Sequence, residues 1–241
     1  MMNFLKNLFH KKDTVQFAPG ITPFTDYHCH ILPGVDDGVK TLSDSLIILE
    51  QYEQLGISEV YLTPHIMEDS PNTTASLREV FSRLGREYTG NISLHLASEN
   101  MIDGLFLERL EKDDVLTLKN DMLLVETSYY NPPIGLYDIL EEIIEKGYKP
   151  VLAHPERYVY MGEKDYGNLL SKGISLQLNL LSLKGCYGRD AQIKAADLCR
   201  KKAYSFIGSD LHNPMQVLQI KSVLSSPHTS KMIGHALKRL T

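Results

Sequence analysis

Short runs of apolar and β-branched residues alternate with longer amphipathic segments along the 241-residue chain. The runs have the length of buried strands, whereas the segments between them place apolar residues at helical spacing. The predicted strands are a first one that ends near residue 30, and then 60–63, 92–97, 122–125, 149–153, 174–179 and 204–207. The predicted helices are 43–55, with Ser43 as N-cap, 75–88, 103–110, 135–146, 166–172 and 189–202, followed by two amphipathic segments after residue 214.

Seven strands that are each followed by a helix predict parallel pairing, because a crossover helix returns the chain to the same end of the sheet. Right-handed crossovers then favour an α/β fold of the distorted TIM-like type, a (β/α)7 barrel. No linker or low-complexity stretch interrupts the pattern. We therefore expect a single barrel domain over residues 21–241, preceded by an N-terminal extension over residues 1–20. This extension could form a short amphipathic helix with weak peripheral membrane contact, although a frayed segment is the favoured interpretation.

Composition narrows the class of protein. The chain is 43% hydrophobic and 23% charged, and its formal net charge of −5 comes from interleaved acidic and basic residues, so no face for nucleic acid is predicted. The three cysteines have no CxxC spacing, which argues against a disulfide framework and a thiolate zinc site. No apolar run approaches the roughly 20 residues of a transmembrane helix. We expect a cytoplasmic protein, and the sequence leaves its oligomeric state open.

Side chains that can bind metal recur where the predicted strands end. The stretch DYHCHILPGVDDG holds His28 and His30, which face the same side of a strand because side chains alternate along it. The carboxyl ends of parallel barrel strands meet on one face, where these side chains are expected to converge in a cup. The expected set is His28, His30, Asp37, His65, Glu99, Glu126, His154, Asp210 and His212.

Two predicted strands carry polar residues that do not fit this pattern. His95 lies inside its strand rather than at the end, so we expect it to be a packed or surface histidine. The strand 174–179 contains Gln177 and Asn179 but has no typical metal ligand at its end.

Nine such side chains exceed the ligand set of about four to six that one ion uses, so two or three divalent ions are expected. Mixed imidazole and carboxylate ligands suit manganese, iron or zinc better than magnesium or calcium. Closely spaced divalent ions acidify bound water and polarise phosphoryl oxygens, which favours hydrolysis of phosphate esters. Arg157 lies three residues after His154, so it is placed to reach the same face of the barrel. There its planar guanidinium could pair with two phosphate oxygens. Its spacing is equally compatible with a helix-capping or surface ion-pair role.

These motifs resemble those of the polymerase and histidinol phosphatase (PHP) superfamily. Within it, the chain is similar to the metal-dependent bacterial protein tyrosine phosphatases encoded with capsule and exopolysaccharide genes, the CpsB/CapC type. The matching stretches are DYHCHILPGVDDG, TPH at 63–65, Glu99, Glu126, AHPERY at 153–158 and SDLHN at 209–213. The resemblance implies a distorted seven-stranded barrel that holds three metal ions, often manganese.

The resemblance also implies a role for each residue. The first ion would be held by His28, His30, Glu99 and Asp210. The second would be held by Glu99, as a bridge, together with Glu126 and His154. The third would be held by Asp37, His65 and His212. Asp36 would order its loop rather than bind metal, and Arg157 would be the catalytic residue that binds the substrate phosphate.

The implied activity is hydrolysis of phosphotyrosine on protein, with the tyrosine-rich tail of a bacterial kinase that controls polysaccharide export as the expected partner. Two alternatives stay open. One is a PHP phosphatase for a small phosphomonoester such as histidinol phosphate, which needs a narrow, enclosed pocket. The other is a non-catalytic regulator that contains metal.

The chain also departs from some relatives at two places. No basic residue lies in 213–217, and the loop after His65 is acidic at Glu68 and Asp69. Lys184 or Arg189 could supply the missing positive charge.

Overall fold

The computed structural model describes residues 24–236, so the predicted extension over residues 1–20 lies outside the described part of the chain. All strand pairs within these residues are parallel. The strands are β1 (Phe24–Cys29), β2 (Ile57–Leu62), β3 (His65–Ile66), β4 (Ser93–Leu96), β5 (Glu99–Met101), β6 (Met122–Glu126), β7 (Lys149–Ala153), β8 (Ser175–Asn179) and β9 (Tyr204–Gly208).

The amphipathic segments form the connecting helices. These are α1 (Leu42–Gln54), α2 (Thr74–Glu87), α3 (Phe106–Glu111), α4 (Leu136–Glu145), α5 (Glu163–Ser171), α6 (Arg189–Arg200), α7 (Gln216–Leu224) and α8 (Pro227–Ala236). The prediction that Ser43 caps α1 is wrong, because the side chain of Thr41 accepts the N–H of Asp44 at 3.1 Å. Within residues 24–236, none of the helices has both the length and the apolar content needed to cross a membrane.

Nine strands occupy seven positions in the barrel. Hydrogen bonding orders them as β1-β2-β4 in one sheet and β3-β5-β6-β7-β8-β9 in the other. β2 and β3 are successive pieces of one strand position, and so are β4 and β5, because β2 pairs with β4 and β3 pairs with β5. Backbone bonds from Ala97 N to Leu62 O (2.9 Å) and from Glu99 N to Pro64 O (3.1 Å) continue the pairing across both breaks.

The barrel closes where β1 meets the residues after β9. The N–H of Asp210 donates to His28 O at 2.8 Å, and the N–H of His30 donates to Leu211 O at 2.9 Å. The buried carboxylate of Asp26 reinforces this seam, because Oδ1 accepts the N–H of Ser209 at 2.8 Å. The prediction of an α/β fold with a distorted TIM-like (β/α)7 barrel is thus confirmed.

The two faces of the sheet bury different clusters of apolar residues. Leu123 and Val125 of β6 point outward and join the large cluster formed with the helices. Leu124 points the other way and packs with Tyr27, Tyr61 and Phe206 inside the barrel. Glu126 is two residues beyond Leu124 and shares its face, since side chains alternate along a strand. The interior cluster therefore forms the floor beneath the polar side chains at the strand ends.

We predict that the seam depends on Tyr52 of α1. Its hydroxyl lies 3.1 Å from Asp26 Oδ2 and 2.9 Å from Ser209 Oγ, and all three residues are buried. Tyr52→Phe should lower the free energy of unfolding by about 1–2 kcal/mol, because the buried carboxylate loses a hydrogen-bond donor.

Urea denaturation followed by circular dichroism measures this loss. Tyr61→Phe is the matched control, since Tyr61 is also buried and its hydroxyl makes no hydrogen bond within residues 24–236. Equal stability of the two variants would contradict the role given to Tyr52.

Candidate metal centre

His28 and His30 at the end of β1 are both fully buried, and each is held by one ring nitrogen. Nδ1 of His28 lies 3.0 Å from Oε1 of Gln177, which also accepts the N–H of His154 at 3.3 Å. Nδ1 of His30 lies 2.8 Å from Oδ2 of Asp36. Because both partners are acceptors, each Nδ1 carries a proton, which leaves each Nε2 as the atom that could bind a cation.

The two Nε2 atoms lie beside the carboxylates of Glu99 and Asp210. The two Nε2 atoms are 3.1 Å apart. Glu99 Oε2 lies 3.1 Å from Nε2 of His28 and 3.3 Å from Nε2 of His30. Asp210 Oδ1 lies 3.4 Å and 3.3 Å from the same atoms. Ligand atoms at roughly 2.1 Å from one tetrahedral ion are about 3.4 Å apart, so this donor set fits a single divalent cation.

A second group surrounds Glu126. Its Oε1 lies 3.1 Å from Nδ1 of His65, and its Oε2 lies 3.7 Å from Nε2 of His154. Glu99 joins both groups, because its Oε1 is 3.0 Å from Nε2 of His154. Nδ1 of His65 and Oε2 of Glu99 are buried and make no hydrogen bond within the described part of the chain. Their neighbours within 3.1–3.3 Å are other ligand-type atoms of the cup, and a bound cation would satisfy these atoms together.

The third group lies at the mouth of the cup. Asp37 Oδ1 is 3.5 Å from Nε2 of His65 and 3.4 Å from Nε2 of His212. The Asp37 side chain is 71% exposed and that of His212 is 24% exposed, whereas Glu99 is fully buried. All nine predicted residues therefore come together, and the cup opens to solvent on the side of Asp37 and His212.

Without bound metal, the histidines of the cup favour the protonated form and its carboxylates favour the ionised form. Burial lowers the pKa of His28, but the carboxylates of Glu99 and Asp210 outweigh burial and raise this pKa to about 9. Burial raises the pKa of Asp210, yet the neighbouring His28 and His30 bring it far below its usual value. Each carboxylate is thus stabilised by positive charge, which is what a divalent cation would also provide.

Two of the residues have strained backbones. His154 has φ 32° and Asp210 has φ 52°, both in the left-handed region that residues other than glycine rarely adopt. His154 precedes Pro155, and the proline ring disfavours the right-handed helical conformation before it. Such strain is often found where side chains must be aimed at a functional site. Here it turns both side chains inward as their strands end.

Arg157 lies in the short 3-10 turn after β7 and points into the cup. Its Nη1 lies 2.5 Å from Oδ2 of Asp210. Its guanidinium is stacked between Tyr129, with 4.4 Å to the ring centre, and Tyr187, with 4.0 Å. Burial lowers the pKa of Arg157, but Asp210 outweighs it and keeps the group charged. Arg157 is therefore neither a helix cap nor a surface ion pair.

Other residues support the cup from outside. Asp36 accepts from His30 Nδ1, from the N–H of Gly38 at 2.9 Å and from the N–H of His65 at 3.0 Å. Asn179 Nδ2 donates to Asp210 Oδ2 at 2.8 Å. Gln177 and Asn179 were assigned no role from the sequence. Amide side chains at alternate positions of a buried strand were the available signal, because each needs a polar partner inside the fold.

Three other sequence expectations concern residues away from the cup. His95 pairs with Glu59 at 3.1 Å and stacks on Tyr61, as expected of a histidine outside the site. Arg189 donates to Gln192 of its own helix at 2.9 Å, and Lys184 donates to Ser222. No described contact joins Arg189 or Lys184 to the cup.

The fold and its cluster of ligand-type side chains define a parallel α/β barrel protein with a candidate metal centre at the carboxyl ends of the strands. The chain belongs to the CpsB/CapC family, described as capsular polysaccharide synthesis, whose family model matches residues 24–233. The resemblance drawn from the sequence motifs is thus confirmed.

Individual relatives agree with this assignment. The chain is 31% identical over 195 residues to the tyrosine-protein phosphatase YwqE of Bacillus subtilis (strain 168), covering 78% of this chain and 77% of that relative. It is 24% identical over 222 residues to the tyrosine-protein phosphatase CpsB of Streptococcus pneumoniae, covering 86% and 91%. A solved structure from work on YwqE of Bacillus subtilis and CpsB of Streptococcus pneumoniae, described as metal-dependent tyrosine phosphatases, matches with a TM-score of 0.73 and 26% identity, covering 90% and 96%.

We predict that Asp36 controls metal affinity although it lies outside the expected ligand set. Asp36→Asn should raise the dissociation constant for Mn²⁺ about 10–100-fold, because His30 loses the carboxylate that fixes its tautomer and orientation. Isothermal titration of Mn²⁺ into chelator-stripped protein measures the change.

Asp69→Asn is the control for simple loss of negative charge near the cup, since Asp69 is exposed and makes no described contact. If both variants bind Mn²⁺ like the wild type, Asp36 does not support the centre.

Proposed function

We propose that this chain is a metal-dependent phosphatase that hydrolyses phosphotyrosine on protein substrates. The convergence of His28, His30, Glu99 and Asp210 at separations of 3.1–3.4 Å is the observation that carries the proposal. The relatives are named tyrosine phosphatases, and one matching structure is described as metal-dependent. The finer expectation is that the substrate is the tail of a bacterial tyrosine kinase in capsule or exopolysaccharide synthesis, acted on in the cytoplasm.

We propose that the three groups of side chains hold two or three divalent ions. Manganese fits the mixed imidazole and carboxylate donors, and iron or zinc remain options. The ligand sets would be His28, His30, Glu99 and Asp210 for the first ion, Glu99, Glu126 and His154 for the second, and Asp37, His65 and His212 for the third. His65 could instead contribute Nδ1 to the second ion beside Glu126, since a neutral imidazole offers only one lone pair. Bound ions would supply an acidified water as nucleophile and positive charge for the phosphoryl oxygens.

The chain's own residues would prepare the site for phosphate. Arg157 presents a guanidinium whose planar fork suits two phosphate oxygens. Asp210 and the two tyrosine rings restrict the rotation of this group, so less entropy is lost when phosphate binds. The buried ligands at the base of the cup are shielded from solvent, which strengthens electrostatic interactions there.

The opening of the cup supports a protein substrate. Asp37 and His212 stand at a solvent-exposed mouth rather than inside an enclosed pocket. A phosphotyrosine side chain could reach this mouth while its polypeptide stays outside. Histidinol phosphate is the alternative substrate, and a regulator without turnover is the alternative role.

The activity test is phosphate release from a phosphotyrosyl peptide by chelator-stripped protein, before and after manganese is restored. Histidinol phosphate is assayed in parallel under the same conditions. The proposal expects release from the peptide that depends on added metal. Activity on histidinol phosphate alone would identify a phosphatase for a small phosphomonoester. No activity on either substrate would favour a regulator without turnover.

We also predict that Tyr187 positions Arg157. Tyr187→Leu should raise KM for a phosphotyrosyl peptide about threefold to tenfold and leave kcat nearly unchanged, because a stacked guanidinium contributes about 0.5–2 kcal/mol. Tyr187→Phe keeps the aromatic face and should behave like the wild type. Tyr148→Leu is the control, because Tyr148 precedes β7 at the end of the strand opposite the cup. A fall in kcat with unchanged KM would contradict a role in binding phosphate.

A further inference from the structure

A groove lies between the loop after β6 with the first turn of α4, and the loop after β7 with the first turn of α5, on the same face of the barrel as the cup. It encloses about 450 Å³. Its walls combine proline rings, tyrosine rings and carboxylates, supplied by Pro132, Pro133, Tyr137, Asp138, Tyr160 and Asp165. None of these residues belongs to the metal-ligand set or contacts Arg157 in the described structure.

Direct contacts connect the groove to the cup. The hydroxyl of Tyr160 lies 2.5 Å from Oγ1 of Thr127, which follows Glu126 in the chain. The N–H of Val159 donates to Tyr129 O at 2.9 Å, and Tyr129 stacks on Arg157. A polypeptide whose phosphotyrosine enters the cup therefore has this groove beside it.

The edge of the groove exposes apolar side chains. Ile134 is 100% exposed, Tyr130 is 73% exposed and Val159 is 63% exposed. These three residues come from the same two loops that form the groove. Ile134 adjoins Pro133 of the groove lining, and Val159 adjoins Tyr160. Exposed apolar residues beside a groove are typical of protein-binding surfaces, whereas a small phosphomonoester would gain nothing from them.

The charge of the groove selects the kind of side chain that it could bind. Asp138 makes no hydrogen bond or ion pair within residues 24–236, and Asp165 accepts only the N–H of Gly162, at 2.8 Å. The nearby Lys172 is paired with Glu141. Tyrosine rings also attract cations through their faces. Two carboxylates beside two tyrosine rings therefore complement a lysine or arginine.

We propose that this groove binds the segment of the substrate protein that flanks the phosphotyrosine, and that it prefers a segment carrying lysine or arginine. The inference rests on the proposed function, because it assigns a binding site for the polypeptide that presents the phosphate. Apolar neighbours of the basic residue pack on Ile134 and Val159, and the basic side chain lies between Tyr137, Tyr160 and Asp138.

The test compares phosphotyrosyl peptides that differ only in flanking lysine or glutamate, at one to four residues on either side. The manganese-loaded full chain should show about a fivefold higher kcat/KM for the best lysine peptide than for its glutamate counterpart, as expected for one partly exposed charge pair. Asp138→Lys should abolish or reverse this preference. Glu50→Lys, on the exposed face of α1, is the matched control and should keep it.

A second pair of variants tests the apolar edge. Ile134→Ser should lower kcat/KM for the peptide but not for p-nitrophenyl phosphate, which is too small to reach the groove. Ile193→Ser is its control, because Ile193 is an exposed isoleucine on α6. Circular dichroism melts establish that each variant is folded.

The outcomes separate this inference from the proposed function. Equal turnover of lysine and glutamate peptides by the wild type, with phosphotyrosine still hydrolysed, would contradict the proposed role of the groove. It would not contradict the proposed phosphatase activity. The same holds if Asp138→Lys keeps the preference. Activity on p-nitrophenyl phosphate with none on any phosphotyrosyl peptide would instead overturn the proposed function.

Discussion

The structure depends on bringing unprotonated imidazole nitrogens and carboxylate oxygens together in a buried space. His28 Nε2 and His30 Nε2 lie 3.1 Å apart with no proton available to join them when both rings are neutral. Such an arrangement is unfavourable unless positive charge occupies the space between the donors. Protonation of Nε2 on the histidines provides that charge when no metal is bound. A metal ion that binds at Nε2 would replace this proton. The divalent cations proposed for the cup would compensate its carboxylates.

The barrel supplies the rigidity that this arrangement requires. Parallel strands bring their carboxyl ends to one face, and the seam between β1 and the residues after β9 fixes His28 beside Asp210. Breaks after Leu62 and after Leu96 divide two strand positions into β2 and β3 and into β4 and β5. Glu99 is the first residue of β5. Positive φ values at His154 and Asp210 add local strain. The network of Asp26, Tyr52 and Ser209 helps to offset such costs at the seam.

Much of this arrangement was predictable from the sequence because it follows from one rule. In a parallel barrel, ligand-type residues such as His65 and Glu126 that directly follow strands must converge, whatever the loops do. The supporting contacts of Asp36 and Gln177 were harder to predict, since they depend on how loops and neighbouring strands pack. The short strands β3 and β5 were not predicted, because Pro64 indicates the end of a strand and segments of two or three residues are too short to show an apolar pattern.

The environment of Arg157 shows the same limit. Its place near the cup followed from its distance to His154, but the two tyrosines that stack on it come from different loops. Tyr129 follows β6 and Tyr187 follows β8, and nothing in their local sequence links them. The groove beside the cup likewise joins two loops that are distant in sequence. Both features depend on contacts between loops that are far apart in the sequence. They can therefore be recognised only once the fold is known.

Anomalous diffraction at the manganese absorption edge, from crystals of the manganese-loaded protein, would locate the bound ions. We expect an anomalous peak enclosed by His28, His30, Glu99 and Asp210, with a further peak or peaks beside Glu126 and His154 or beside Asp37 and His212. A cup without any anomalous peak, in which the histidines are protonated and bonded directly to the carboxylates, would contradict this expectation.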